Sequence, residues 1–305
     1  MNTHYTNPYT GQQLTVARPN PQKRNILIQK LGRAPWWLLI LLGGVLLFAV
    51  SVADSMTYQN AWTAVQRGIW TTIWVTLVAY TISLVMGLVL ALLRRPSTSM
   101  VYNIFVYQPV TAYVELVRGI PTLVLVFYFA LALAPQVILL LNDLGRWLLD
   151  SGINPGGLSE EMMVLRARDF PTVWRAILAL AVSYSAFLSE VFRAGLDSIE
   201  YGQQEAAISL GMNRRQVMRF IILPQAIRNI LPPLGNDFIA MLKESSLVSM
   251  VGVQDITREG QAFAAATFTF FQAFNVIALT YLILTLSLSM MVKGLENYLA
   301  RGRDR

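Results

Sequence analysis

Glu205-Ala206-Ala207-Ile208-Ser209-Leu210-Gly211, followed nine residues later by Ile221-Ile222-Leu223-Pro224, is a polar, helix-patterned stretch lying between two apolar blocks. From Ile199 to Leu210 it reads as a short helix offering Ala206, Ala207, Ile208 and Leu210 as a contact surface. Gly211 supplies the positive-φ turn that ends it. Asn213 is placed to cap a second helix, and Pro224 is expected to terminate or kink that helix as the chain re-enters lipid. A helix-turn-helix pair held in water between two membrane spans is the reading on which the fold turns.

Working outward, hydrophobic residues make up 55% and charged residues 13% of the 305, with a mean hydropathy of +0.49. Soluble domains carry about 25% charged residues. The apolar residues also come in long uncharged blocks, and a run of roughly 18 or more reads as a span. Such blocks run from Trp36 to Ala53, Gly68 to Leu93, Gly119 to Leu141 and Thr172 to Leu196. Two more, Leu231 to Val253 and Ala262 to Val292, carry a few polar residues. The second block closes on Arg94-Arg95-Pro96, two cations and a proline at the exit from lipid. Tyr102 to Val117, stocked with Tyr, Gln108, Pro109 and Glu115, is read as lying at the interface before the chain turns in near Gly119-Ile120-Pro121. Asn142 to Pro171 reads as an aqueous loop. Ser51-Val52-Ala53 would fit a cleaved leader, but the preceding tail is long for an n-region, so the first helix is read as retained. The expected organisation is a mostly disordered tail over 1–34, an extra helix over 35–55, a core over 68–293 and a second tail over 294–305.

Six spans put both termini on one side. Placing them in the cytoplasm leaves sixteen Lys and Arg inside, among them Arg94, Arg95, Arg193, Arg214, Arg215, Arg219 and Arg228, against six outside. That asymmetry orients the chain and makes the Glu205 stretch cytoplasmic. It also accounts for the net charge of +7, because the cations flank apolar blocks and line no single surface of the kind that binds nucleic acid. There is no cysteine, and the one histidine, His4, sits in the polar tail, so thiol chemistry is excluded and a histidine-centred metal or general-base site disfavoured.

The spacing of Glu205, Ala206, Ala207, Gly211, Ile221, Leu223 and Pro224 resembles the EAA loop of ABC-importer permeases. In that family the first helix seats in a groove of the ATPase subunit. The chain holds no Gly-x-x-x-x-Gly-Lys-Ser/Thr phosphate cradle and is not the ATPase itself. Glu115-Leu116-Val117-Arg118-Gly119-Ile120-Pro121 is similar to the E-x-x-R-G-T-P segment of the polar amino-acid permeases, with Ile120 in place of Thr. Tyr184 to Gly195 resembles their A-Y-x-x-E-x-x-R-x-G segment more loosely, and Lys243-Glu244-Ser245-Ser246-Leu247 resembles K-D-T-S-L. The resemblance covers roughly Thr72 to Val292. It implies an all-α polytopic fold, a five-helix permease core plus one extra N-terminal transmembrane helix, in the bacterial inner membrane. It also implies ABC ATPase subunits, a second permease subunit and a solute-binding protein as partners, with membrane lipid around them and no cofactor in this chain.

Within the spans, ionisable residues cost roughly 2.5 to 3.5 kcal/mol on insertion scales and are rarely idle. Glu115 and Arg118, three apart on a helix face, are read either as an interfacial pair or as gating residues. Glu190 is the candidate nearest the solute, sharing a helix face with Ser183. Its carboxylate would meet an ammonium group, and Lys243, with Glu244 beside it, would meet the carboxylate end. A structural ion pair of Glu190 with Arg193 or Lys243 is the competing reading. The alternatives for the whole chain are an ABC permease for an opine, a sulfur amino acid or a quaternary amine, a membrane-embedded enzyme, and an autonomous secondary transporter. The enzyme lacks convergent catalytic groups, and the secondary transporter would show the internal repeats that this sequence lacks.

Overall fold

The computed structural model describes residues 4–6, 13–15, 43–48, 50, 54–154, 157–166 and 169–301. They fall into two units, Met1–Asp54 and Ser55–Arg305. In the first, the segment expected to be a mostly disordered tail carries a short antiparallel ladder of β1 (His4–Thr6) with β2 (Gln13–Thr15). Most of the expected first helix, Trp36 to Ala53, lies outside the described residues, although 43–48 are helical.

The second unit begins with α1 (Met56–Leu93), which starts well before the apolar block read from Gly68. Its buried face is a ladder of small residues three or four apart, Gly68, Thr72, Thr76, Ala79, Ser83, Gly87 and Ala91. After a π-helical turn at Asn103–Tyr107 comes α2 (Gln108–Gly119). Ile120 and Pro121 are extended, as the residue before a proline prefers, and α3 (Thr122–Asp150) starts directly behind them. That helix outruns the span read to Leu141, and α4 (Leu158–Met163) packs back against it, so much of the expected aqueous loop is helical. Next come α5 (Thr172–Asp197) and α6 (Tyr201–Ser209), then α7 (Leu223–Glu244), whose last turn tightens into a 3₁₀ segment, Ser245–Val251. The span read as Ala262 to Val292 is two elements. α8 (Ile256–Thr267) ends at Phe268, which takes a left-handed φ of 57°, and α9 (Phe270–Arg301) carries the apolar stretch.

Among the described residues, four helices are long and apolar enough to cross a membrane: Met56–Leu93, Thr122–Asp150, Thr172–Asp197 and Phe270–Leu299. The fifth apolar block runs through the second half of α7 and the 3₁₀ segment behind it, and its apolar run is interrupted by Pro232, Pro233, Asp237, Lys243 and Glu244. α5 is the central element, 61% buried over its most apolar window against 17 to 33% for the other three. It too is rich in small residues, including Ala176, Ala179, Ser183, Ser185, Ala186 and Ser189, so its backbone approaches α1 closely. Apolar side chains gain little by leaving lipid, and close packing with interhelical hydrogen bonds does the holding instead. Ser83 Oγ donates to the Ala181 carbonyl at 3.2 Å, and the Tyr80 hydroxyl donates to the Leu234 carbonyl at 2.5 Å. Tyr113 reaches the Val182 carbonyl at 3.2 Å. α1, α2 and α7 are thereby tied around α5.

Candidate functional site

The stretch between α5 and α7 folds largely as its residue types require. At the end of α6 the Met212 amide donates to the Ala207 carbonyl at 3.1 Å and the Gly211 amide to the Ile208 carbonyl at 2.9 Å. This is a Schellman closure, with Gly211 in the left-handed region at φ 83°. Asn213 and Gln216 then form a reciprocal capping box at 2.9 and 3.0 Å. Of the two outcomes expected at Pro224, termination does not occur: a π-helical turn at Val217–Ile222 precedes it and the chain runs on helically into α7. At the head of α7 the proline's missing N–H is tolerated.

Ala207, Val217, Ile222, Ala226 and Ile230 form a small apolar core beneath this loop, with Ile221 packed against it. Gln225 donates to the Gln203 side chain at 2.6 Å and pins α6 to α7. Gly195 lets α5 come in close, since a Cβ there would lie 2.0 Å from Ile230 Cγ1. Ala207 and Ile221 therefore brace the loop from within. Glu205 and Ala206 face outward beside two exposed apolar side chains, Ile208 at 54% and Leu210 at 83%. Leu223 and Pro224 are exposed on the helix behind. A rigid, protruding helix with an apolar tip and one carboxylate is suited to docking on another protein.

A second cluster gathers where α1, α2 and α5 end. Arg94 hydrogen-bonds the Glu190 carboxylate and reaches Glu115 at 2.6 Å. Arg193 holds the other Glu190 oxygen at 2.6 and 3.0 Å and meets Asp197 at 3.6 Å. Arg118 lies 3.5 Å from Glu190 and 5.9 Å above the Phe187 ring. Glu115 and Arg118 thus reach across to other helices and not to each other. Glu190 is the hub of an ion network, with its side chain 19% exposed. Its partner Arg94, which the sequence offered only as a mark of the exit from lipid, is the element joining three helices.

The remaining candidates separate. Ser183 is fully buried with a hydroxyl that has no partner, and seven residues of helix, about 10 Å, part it from Glu190. Lys243 is exposed. Glu244 carries a buried Oε2 without a hydrogen-bond partner. Its carboxylate and that of Asp237 are the charged neighbours of the Tyr184 hydroxyl, with Tyr80 alongside. Sequence reading does not single out Asp237 or Tyr80 as parts of a site. The available signal was an acid inside an apolar span. Two carboxylates and two phenols on the inner faces of α1, α5 and α7 make a polar patch with spare acceptor capacity, suited to an ammonium or guanidinium group. Among the described residues, no three His, Cys, Asp or Glu side chains are grouped to hold a metal.

Comparison with known proteins agrees with this architecture. The profile of the family described as "Binding-protein-dependent transport system inner membrane component" matches residues 83–305. The chain is 33% identical over 239 residues to the probable glutamine ABC transporter permease protein GlnM of Bacillus subtilis (strain 168), covering 77% of this chain and 93% of that protein. It is 32% identical over 227 residues to the glutamine transport system permease protein GlnP of Escherichia coli (strain K12), covering 74% and 88%. The fold also aligns with a crystal structure of an amino acid ABC transporter with histidines, at a TM-score of 0.61 and 32% identity over 82% of this chain and 97% of that one. The match over most of the chain, and over nearly the full length of these relatives, shows that this chain belongs to the binding-protein-dependent transport system inner membrane component family.

Proposed function

We propose that the chain is the permease subunit of an importer for polar amino acids, driven by ATPases that dock on the Glu205–Pro224 loop. Membership of the family makes it a multi-pass inner-membrane transport subunit and not an enzyme, working with ATPase and binding-protein partners. The observation that carries the proposal is the loop itself, a Schellman-closed helix braced on α7 that presents Glu205, Ala206, Ile208 and Leu210 to a partner. Nucleotide-driven closure of the ATPases would rock α6, and Gln225 and the continuous helix behind Pro224 would carry that motion into α7.

The solute class is taken from the glutamine permeases that this chain resembles and from the acidic patch. The solute's amino group is assigned to Glu244 and Asp237 beside Tyr184, with the unpartnered Ser183 hydroxyl on the same helix and Lys243 as the cation for the carboxylate. Glu190 is already shared by three arginines, which favours its structural reading, with Glu115 and Arg118 as members of that network. A second permease, this chain again or a related one, completes the path. Both termini and the Glu205 loop face the cytoplasm.

Two measurements test this. In vesicles with ATPase and binding protein, Glu244→Gln raises the KM for uptake of the preferred amino acid and leaves basal ATP hydrolysis unchanged. An unaltered KM rejects the assignment. Because the chain has no cysteine, single cysteines report sidedness. In intact cells an impermeant thiol reagent should label Glu160→Cys and spare Ser209→Cys, and the reverse pattern overturns the orientation. Ser159 is unsuitable for this purpose, being buried with its hydroxyl on the Ile153 carbonyl at 2.9 Å.

A further inference from the structure

The two arginines that close α1 part company. Arg94 turns into the ion network, where Arg94, Arg118 and Arg193 are balanced by Glu115, Glu190 and Asp197. Arg95 turns the other way and lines the mouth of an apolar groove of about 550 Å³ between α1, α5 and α7. Leu88, Leu92, Phe192, Leu196 and Leu231 form much of its wall, and Arg95 is the one polar side chain among the described residues that line it. Among the described residues the Arg95 side chain is exposed and makes no ion pair or hydrogen bond, and the same holds for the side chains of Arg214 and Arg215. Those two arginines begin the helical turn that carries Met218, which also lines the groove.

We propose that this groove is a binding site for an anionic phospholipid, with one acyl chain lying between α1, α5 and α7 and the head-group phosphate held by Arg95. The apolar wall, the depth of the groove and the charge at its edge all favour that occupant. The wall offers water no hydrogen-bonding partner below Arg95, so a solvent filling is unfavourable and a hydrocarbon filling is not. From Leu93, where α1 ends just before Arg95, to Leu88 the helix descends about 7 to 8 Å, roughly half of one leaflet of a 30 Å hydrocarbon core, which is within the reach of an acyl chain anchored at head-group depth. Arg95-Pro96 marks that depth, where the chain leaves lipid. Finally, Arg95 carries an uncompensated charge, and basic side chains at the membrane surface select anionic head groups. A second protein chain seated here would bury Arg95 against apolar side chains and leave its charge without a partner. A zwitterionic lipid would fill the groove equally well and gain less from Arg95.

The test uses the importer purified whole, with its ATPase partner, in detergent. Phosphatidylglycerol and phosphatidylcholine with identical chains are added in equal amounts, and the lipids retained are counted by native mass spectrometry. The wild type should retain phosphatidylglycerol in preference. Arg95→Gln, a change at an exposed side chain, should reduce that preference about fivefold, the effect of one basic residue near an anionic surface. Arg95→Lys should restore most of it, and Leu231→Trp, which fills the groove, should abolish retention of either lipid at this site. Equal retention of both lipids by the wild type overturns the proposal. So does a preference that Arg95→Gln leaves unchanged. Disulfide formation between Leu92→Cys on one copy and Ile227→Cys on another would identify a protein occupant instead and overturn it as well.

Discussion

Replacing Glu190 by glutamine preserves the side chain's size and removes its charge, and the geometry around it sets the cost. Arg94 is 12% exposed at its side chain, so its charge-assisted hydrogen bond to Glu190 is worth about 1.5 to 3 kcal/mol. Arg118 and Arg193 are 39% and 44% exposed, and each exposed pair contributes at most about 1 kcal/mol. The loss should therefore be about 3 kcal/mol, which for a unit of this size lowers the melting temperature by about 6 to 12 °C. Glu115, reached by Arg94 at 2.6 Å, is 59% exposed and compensates little. The assay is thermal unfolding of the purified importer for Glu190→Gln, Arg94→Gln and the double variant. The cycle should return a coupling of about 1.5 to 3 kcal/mol, because the two residues share one bond. Uptake by the single variant at permissive temperature should keep its KM. An unchanged melting temperature together with a raised KM would show that Glu190 touches the solute, and the network argument would fail.

Two further substitutions probe the loop and the far end of the bundle. Gly211→Val forces a β-branched residue to φ 83° at a site where a Cβ meets nothing within 4 Å, so the cost of about 1 to 2 kcal/mol or more is purely backbone. It should abolish substrate-stimulated ATP hydrolysis without blocking insertion, whereas Gly211→Asn, which tolerates the left-handed region, should retain most of it. Equal activity in the two variants would contradict the turn assignment. Asp255 is fully buried as the N-cap of α8, and burial pushes its carboxyl up to about 6 despite the Arg258 amide at 2.8 Å and the Tyr281 hydroxyl at 3.2 Å. The folded chain thus holds this proton more tightly than the unfolded chain, so its contribution is greatest below about pH 4 and up to about 3 kcal/mol is lost as pH rises through about 6. Asp255→Asn keeps the cap, should raise the melting temperature at neutral pH and should flatten its pH dependence between about 4 and 6. Parallel profiles for variant and wild type would show that the carboxyl does not ionise there.

Features confined to a few neighbouring residues could be read directly. Gly211 and Asn213 act through their own backbone preferences, and the structure adopts them as expected. The apolar blocks likewise announce themselves, because lipid excludes charge wherever a helix crosses it. Where the local signal is weak or ambiguous, neighbouring residues do not place the boundary of an element. Thr267-Phe268-Thr269 contains neither Gly nor Pro, so nothing in it marks the left-handed break between α8 and α9. Pro224 has the residue type of a terminator, yet the π turn before it turns the same residue into a helix start.

The ion network and the acidic patch belong to tertiary structure alone. Arg94 and Glu190 are 96 positions apart, and no periodicity along the chain pairs them. The ladder of small residues on α1 lets α5 come close, and the ends of α1, α2 and α5 then meet, so Arg94 finds Glu190 and Glu115 and not the head groups. The same packing places Asp237 and Glu244 of α7 beside Tyr184 of α5. Composition thus determined that these charges must lie at the edges or inner faces of a membrane bundle, since lipid tolerates them nowhere else. Which charge met which partner, and which arginine of the adjacent pair faced the apolar groove, was decided by the rotation and approach of helices distant in the sequence.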